Sequence, residues 1–160
     1  MSRLDNEIGI TASVLDRLLD DRPDQSQEAR PSRQTSLRLV KQAVKRDLEW
    51  LLNTRAELDP PEGLTEVSAS LATFGLPDLA SWNVKNPEEQ GDLRRAVENA
   101  IRRFEPRLEA VEVSLEAMSE TDRAVRFRID ARLRVDPAPE PVTFDSMLQL
   151  GSGAFVVKGD

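Results

Sequence analysis

Apolar residues at Leu37, Val40, Val44, Leu48 and Leu51 recur at steps of three and four, which draws one stripe along a helix of about 37–53 with Ser36 as its N-cap. Its closing stretch, KRDLEWLLNTR over 45–55, keeps Leu48, Leu51 and Leu52 for the core and carries polar residues that packing alone does not require. A shorter pattern stands near the amino terminus. Ser13 is placed to cap a helix whose Val14, Leu15, Leu18 and Leu19 share a face and which ends near Asp20. Two turns are marginal alone in water, so this helix must dock on its own domain or in a partner. Leu64 to Phe74 reads as a further short helix ended by Gly75. Asn86-Pro87-Glu88-Glu89 opens a longer one, with Asn as cap, Pro in the first turn and acids where the helix dipole favours them. Its stripe is Leu93, Val97, Ala100, Ile101 and Phe104, with Glu98 and Arg102 spaced for an ion pair on the wet face.

Beyond Phe104 the period changes to two. Val111, Val113 and Leu115 alternate with Glu112, Ser114 and Glu116, and Val125, Phe127, Ile129, Ala131, Leu133 and Val135 alternate with Arg126, Arg128, Asp130, Arg132 and Arg134. Such alternation describes a sheet buried on one side, the habit of antiparallel pairing. The arginine row is either an anion-binding strip or a set of cross-strand partners for Glu112 and Glu116, and the second reading is favoured. Prolines at 137, 139 and 141 break the chain before a third strand over about 142–150, and Gly151-Ser152-Gly153 joins it to a fourth over Ala154 to Lys158. The expected fold is α+β, with N-terminal helices packed on one face of a three- to four-stranded antiparallel β-meander. Residues 1–35 form a short amphipathic helix and flexible linker, the latter because 20–35 is polar and holds two prolines; residues 36–160 form the main domain.

Composition narrows the chemistry. The 160 residues contain neither cysteine nor histidine, which removes disulfides, thiolate sites and the commonest general base. A net charge of -7 argues against nucleic acid or an anionic membrane as partner. With no apolar leader at the amino terminus and no spanning apolar run, a cytoplasmic chain without membrane insertion is expected. The Gly-Ser-Gly turn lies between strands and has no helix to receive a phosphate, and Asp20-Asp21 and Glu88-Glu89 read as solvated termini rather than metal ligands. No catalytic residue, metal, cofactor or small-molecule substrate is expected.

Two features do suggest contact with a partner. Trp50 lies off the main stripe, grouped with Ala43 and Asp47, and either covers the edge of the core or anchors an interface. In Phe104-Glu105-Pro106-Arg107 the proline stops the helix and puts Glu105 and Arg107 on one side, as an ion pair or as a charged claw.

SVLDRLLDD over 13–21, RDLEWLLNTR over 46–55 and FEPRL over 104–108 occur in that order. Together they resemble the TssE family of type VI secretion baseplate subunits, a branch of the contractile-phage baseplate wedge proteins labelled lysozyme-like. The resemblance implies an α+β fold, a structural role beside TssF, TssG and TssK, and a sheet edge offered to the sheath proteins TssB and TssC. It also implies that Glu105, Pro106 and Arg107 serve baseplate contacts, that Asp47, Trp50 and Arg55 hold the wedge interface or orient that turn, and that the strand around Val156 is the edge. Two rivals share the fold family: an anti-adaptor that protects a sigma factor, and a muralytic enzyme. Against the enzyme stand the missing histidine and the lack of an acid in an apolar setting.

Overall fold

The computed structural model of the chain describes residues 10, 13–19, 32–57, 63–68, 70–79, 82, 86–116 and 123–159. The linker expected over 20–35 lies outside the described residues up to 31, as do Asp20 and Asp21. Nine elements are formed by the described residues: α1 (Val14–Leu18), α2 (Arg33–Asn53), α3 (Thr65–Ser68), a 3-10 turn (Leu71–Thr73), α4 (Pro87–Phe104), β1 (Leu108–Leu115), β2 (Ala124–Leu133), β3 (Glu140–Gln149) and β4 (Phe155–Gly159). The strands pair antiparallel in the order β1-β2-β3-β4, so the expected meander is present with all four strands.

Two helix expectations need correction. The long helix starts at Arg33, not near 37, because Ser32 rather than Ser36 is its cap: the Ser32 hydroxyl accepts from the Thr35 N–H at 3.2 Å. Ser36 is buried inside the helix, and its N–H donates to the Ser32 carbonyl at 2.9 Å. Polar Arg33, Gln34 and Thr35 hide that extra turn from any apolar period. The helix expected over Leu64 to Phe74 is instead split into α3 and the 3-10 turn. Here hydroxyls compete for main-chain carbonyls: Ser70 donates to Val67, and Thr73 to both Ser68 and Ser70. Gly75 does end the segment, at φ 118, and a Cβ there would lie 2.3 Å from the Thr54 carbonyl oxygen. That close approach allows Ala56 and Leu76 to bond across the strand-like bridge between Arg55 and Leu76.

The core lies between one sheet face and the two long helices, α4 beside β1 and α2 beside β4. Val44, Leu48 and Leu51 from α2 and Leu93, Val97 and Ile101 from α4 meet Val113, Phe127, Ile129, Leu133, Phe144 and Val157 from the strands. Each such side chain contributes about 1.5–3 kcal/mol on leaving water. The opposite sheet face is solvated. There Arg126 pairs with Glu116 at 3.8 Å, Arg128 with Asp130 at 3.3 Å and Arg134 with Glu109 at 3.2 Å. The arginine row therefore has carboxylate partners, but Glu112 is not among them: the register sets it opposite Asp130.

Candidate partner-binding site

The site is built where α4 stops. Ser and Thr are absent from its last turn, and Pro106 bars Glu105 from helical geometry, leaving it at φ -117 and ψ 80 with its N–H still bonded to the Ile101 carbonyl at 2.9 Å. Leu108 then closes the turn by donating to the Glu105 carbonyl at 3.1 Å, and the Arg107 carbonyl accepts from Arg134 of β2's extension at 2.8 Å. The turn is thus pinned at both ends, and side-chain directions follow from it. Glu105 is 4% exposed. Its Oε1 accepts from the Arg107 N–H at 3.1 Å and from Nε at 2.7 Å, while Oε2 accepts from Nη2 at 2.5 Å. Of the two arrangements open to these residues, the ion pair is the one adopted.

Arg107 reaches further. Its Nη2 also donates to Asp47 Oδ2 of α2 at 2.5 Å, and Nη1 lies 3.9 Å from Asp16 Oδ2 of α1. Arg46 closes the circuit, with Nε on Asp47 Oδ1 at 2.9 Å and Nη2 on Asp16 Oδ1 at 2.8 Å. Three carboxylates and two guanidinium groups therefore join α1, α2 and the turn after α4. Hydrogen bonding to Glu105 raises the affinity of Arg107 for its proton, outweighing burial, and Asp47 adds to it. Burial pushes Asp16 up, but the Ser13 hydroxyl and the Arg46 and Arg107 charges together hold its carboxyl below the usual carboxylate range. Such pairs fix geometry: with one partner removed, the other is left without compensation.

The network also decides how α1 docks. Ser13 caps it as expected, its hydroxyl accepting from the Asp16 N–H at 3.2 Å. The attachment runs through Asp16, and Val14, Leu15, Leu18 and Leu19 are all exposed, Val14 at 73% and Leu18 at 76%. The remaining sequence candidates divide. Trp50 is 59% exposed, so most of its ring does not cover the core; Arg46 stands over it at 5.7 Å from the ring centroid. Asp47 and Trp50 thus adjoin the Glu105-Pro106-Arg107 turn through Arg46. Arg55 makes a separate contact, with Asp78 at 2.6 Å, at the open cleft of about 610 Å³ where α2 ends. Val156 is on the sheet edge, but its main chain pairs with Met147 of β3.

A protein-family model, that of the baseplate wedge protein gp25, matches residues 38–138. The chain belongs to the gp25 baseplate wedge family. No curated protein matches it. A chain from a solved structure described as the baseplate complex from the type VI secretion system is similar at 18% identity and a TM-score of 0.49, over 70% of this chain and 96% of that one.

The gp25 match spans both the RDLEWLLNTR helix end and the FEPRL turn, which the structure joins through Arg107 and Asp47. Sequence reasoning had Glu105 and Arg107 as an ion pair or a charged claw and Asp47 as a residue that holds an interface or orients their turn, but it singled out neither Asp16 nor Arg46. Their only signal was an acid in the capped first turn of α1 and an arginine next to Asp47. It also found no buried acid, whereas Glu105, between Phe104 and Pro106, is one. In this gp25-family chain both oxygens of that carboxylate accept from Arg107. Among the described residues there is no grouping of three or more Asp and Glu fit to hold a metal, and no helix is long and apolar enough to cross a membrane.

Proposed function

We propose that the chain is the TssE-type wedge subunit of a type VI secretion baseplate, a cytoplasmic structural part that links the baseplate to the contractile sheath and initiates sheath assembly. The observation that carries this is the gp25 wedge-family match over 38–138, which encloses two of the three motifs resembling TssE, in order. TssF, TssG and TssK are the proposed wedge partners. The surface offered to them is the Arg107 turn with Asp47 and Trp50 beside it and the exposed apolar residues of α1 above it. TssB and TssC are the proposed sheath partners, received by strand addition at the β4 end of the sheet. Nothing in this role requires chemistry; it requires a rigid turn and a sheet edge.

Affinity capture of the tagged chain from cells that assemble the secretion machine tests the reading. Recovery of TssF and TssG supports it. Recovery of a sigma factor without them would establish the anti-adaptor alternative, and clearing of a peptidoglycan suspension by the purified chain would establish the muralytic one.

A further inference from the structure

Between α2 and α4 the chain buries and exposes residues in the reverse of the usual order. In the 3-10 turn Thr73 is 4% exposed, whereas Leu71, two residues before it, is 86% exposed. Leu64 and Val67, beside and within α3, are exposed as well. The core does not lack material here, since Phe74 packs against it and Leu76 is buried in it. Burial alone would have sent the leucine in and the threonine out.

The main chain holds this arrangement in place. Thr73 shares its hydroxyl hydrogen between the Ser68 carbonyl at 2.7 Å and the Ser70 carbonyl at 3.0 Å, and the Ser70 hydroxyl donates to the Val67 carbonyl at 2.7 Å. The Phe74 N–H closes the turn on the Leu71 carbonyl at 3.1 Å. Phe74 then meets Phe104 edge-on with centroids 5.2 Å apart, which ties the turn to the last residue of α4. Leu71 is thus presented on a fixed backbone, and a side chain so presented has little main-chain freedom left to lose on binding.

The charges around it are of one sign. Lys and Arg make up 22 of the 160 residues, yet none falls between 56 and 84, where Glu57, Asp59, Glu62, Glu66 and Asp78 stand. Asp78 is paired with Arg55 at 2.6 Å, and at the end of α4 Arg103 is engaged with the Phe104 ring at 5.9 Å. Glu57 and Glu66 are exposed, and no ion pair reaches either among the described residues.

We propose that α3 and the 3-10 turn form a docking surface for a second protein, with Leu71 as the anchor, and that this partner offers an apolar pocket rimmed by Lys or Arg. Charge complementarity selects the occupant. An acidic surface on a chain of net charge -7 repels another copy of itself and an anionic lipid face, and it attracts a basic rim. An apolar centre with a charged surround is the usual anatomy of a specific interface. The proposal goes beyond the wedge reading, which places partners at the Arg107 turn, α1 and β4, and it holds whichever protein the partner is.

Photo-crosslinking of the full chain in the cells that make it tests this, with p-benzoylphenylalanine in place of the exposed Ala72 so that Leu71 is kept. The cross-linked peptide, read by mass spectrometry, is expected to come from another protein and to carry apolar residues flanked by Lys or Arg. Leu71→Ser, and separately Glu57→Lys/Glu66→Lys, are each expected to lower the cross-linking yield about tenfold. Both are expected to leave the urea midpoint of the purified chain where it was, because all three side chains are exposed. A cross-link to a second copy of this chain, a cross-link to an acidic peptide, or none at all overturns the proposal. So does an undiminished yield in either variant, or a midpoint lowered by Leu71→Ser, which would give the leucine to the fold. A peptide of the expected kind from a protein outside the baseplate upholds the proposal even where affinity capture recovers no TssF or TssG, so the two readings fail separately.

Discussion

Glu105 is 4% exposed with the Arg107 guanidinium on both its oxygens, and replacing Arg107 by Ala removes that cation from a carboxylate held by the pinned turn. Two outcomes are open to the carboxylate, and both are costly. If it stays charged, breaking a buried pair by removing one partner destabilises by about 3–5 kcal/mol. If it takes up a proton, holding an ordinary glutamic acid neutral at pH 7 costs about 3.7 kcal/mol, at 1.36 kcal/mol for each pH unit above a reference value near 4.3. The cheaper outcome sets the loss, so Arg107→Ala is expected to lower unfolding free energy by about 3–4 kcal/mol at pH 7, a large share of the 5–15 kcal/mol typical of a domain.

The second outcome carries a signature. The folded variant then binds a proton that its unfolded chain, above the reference value, does not. Its stability must fall as pH rises, by about 1.4 kcal/mol per unit, a slope the intact pair does not impose. Lowering the pH from 7 to 5.5 is therefore expected to narrow the gap between wild type and variant by about 2 kcal/mol. Urea unfolding followed by circular dichroism at both pH values measures this. The double variant Glu105→Gln/Arg107→Met, which removes both charges at similar volume, is expected to regain most of the loss. A loss under about 1 kcal/mol for Arg107→Ala would refute the claim that Glu105 depends on Arg107, and a large loss with a gap that does not narrow in acid would assign it to the carboxylate that stays charged.

Other expectations follow from single contacts. Gly75→Ala forces a Cβ to within 2.3 Å of the Thr54 oxygen at φ 118, and is expected to cost about 2 kcal/mol or more and to free the bridge between Arg55 and Leu76 for proteolysis. Asp16→Asn removes the charge that ties α1 to Arg46 and Arg107; faster exchange of the Ser13 to Leu19 amides is expected, with the midpoint of global unfolding moved by no more than about 1 kcal/mol. Because the Asp16 carboxyl titrates below its ordinary value of 3.8, docking of α1 is retained as pH falls from 7 to 4.5 and is lost only at lower pH; a change in the Asp16 amide shift within that window would contradict it. At the edge strand, Val156→Pro removes an N–H that faces Met147 and is expected to weaken the fold, read as a lower midpoint of urea unfolding.

The fold was legible wherever one face of an element is dry. Leu93 to Phe104 and Val125 to Leu133 announce their periods because burial selects the residue type at every second or every third to fourth position. Arg33 to Thr35 and the broken stretch from Thr65 to Thr73 did not, since there a hydroxyl decides the backbone and a hydroxyl has no period. At the site the limit was different in kind. Glu105 and Arg107 are two apart, so their pairing could be posed from sequence, but Asp16 is 30 residues from Arg46 and Asp47 is 60 from Arg107. Charges on helices that would ordinarily be read as solvated are here enlisted by main chain and by one another. Asn53, Glu98 and Arg102 all belong to wet helix faces by pattern, yet each satisfies a strand group that the sheet leaves open. A helix laid beside a sheet edge brings its flank, not its stripe, to that edge. The polar residues flanking an apolar stripe are therefore where an open edge finds its guards, and at β4 that guard is Asn53, on both main-chain groups of Phe155.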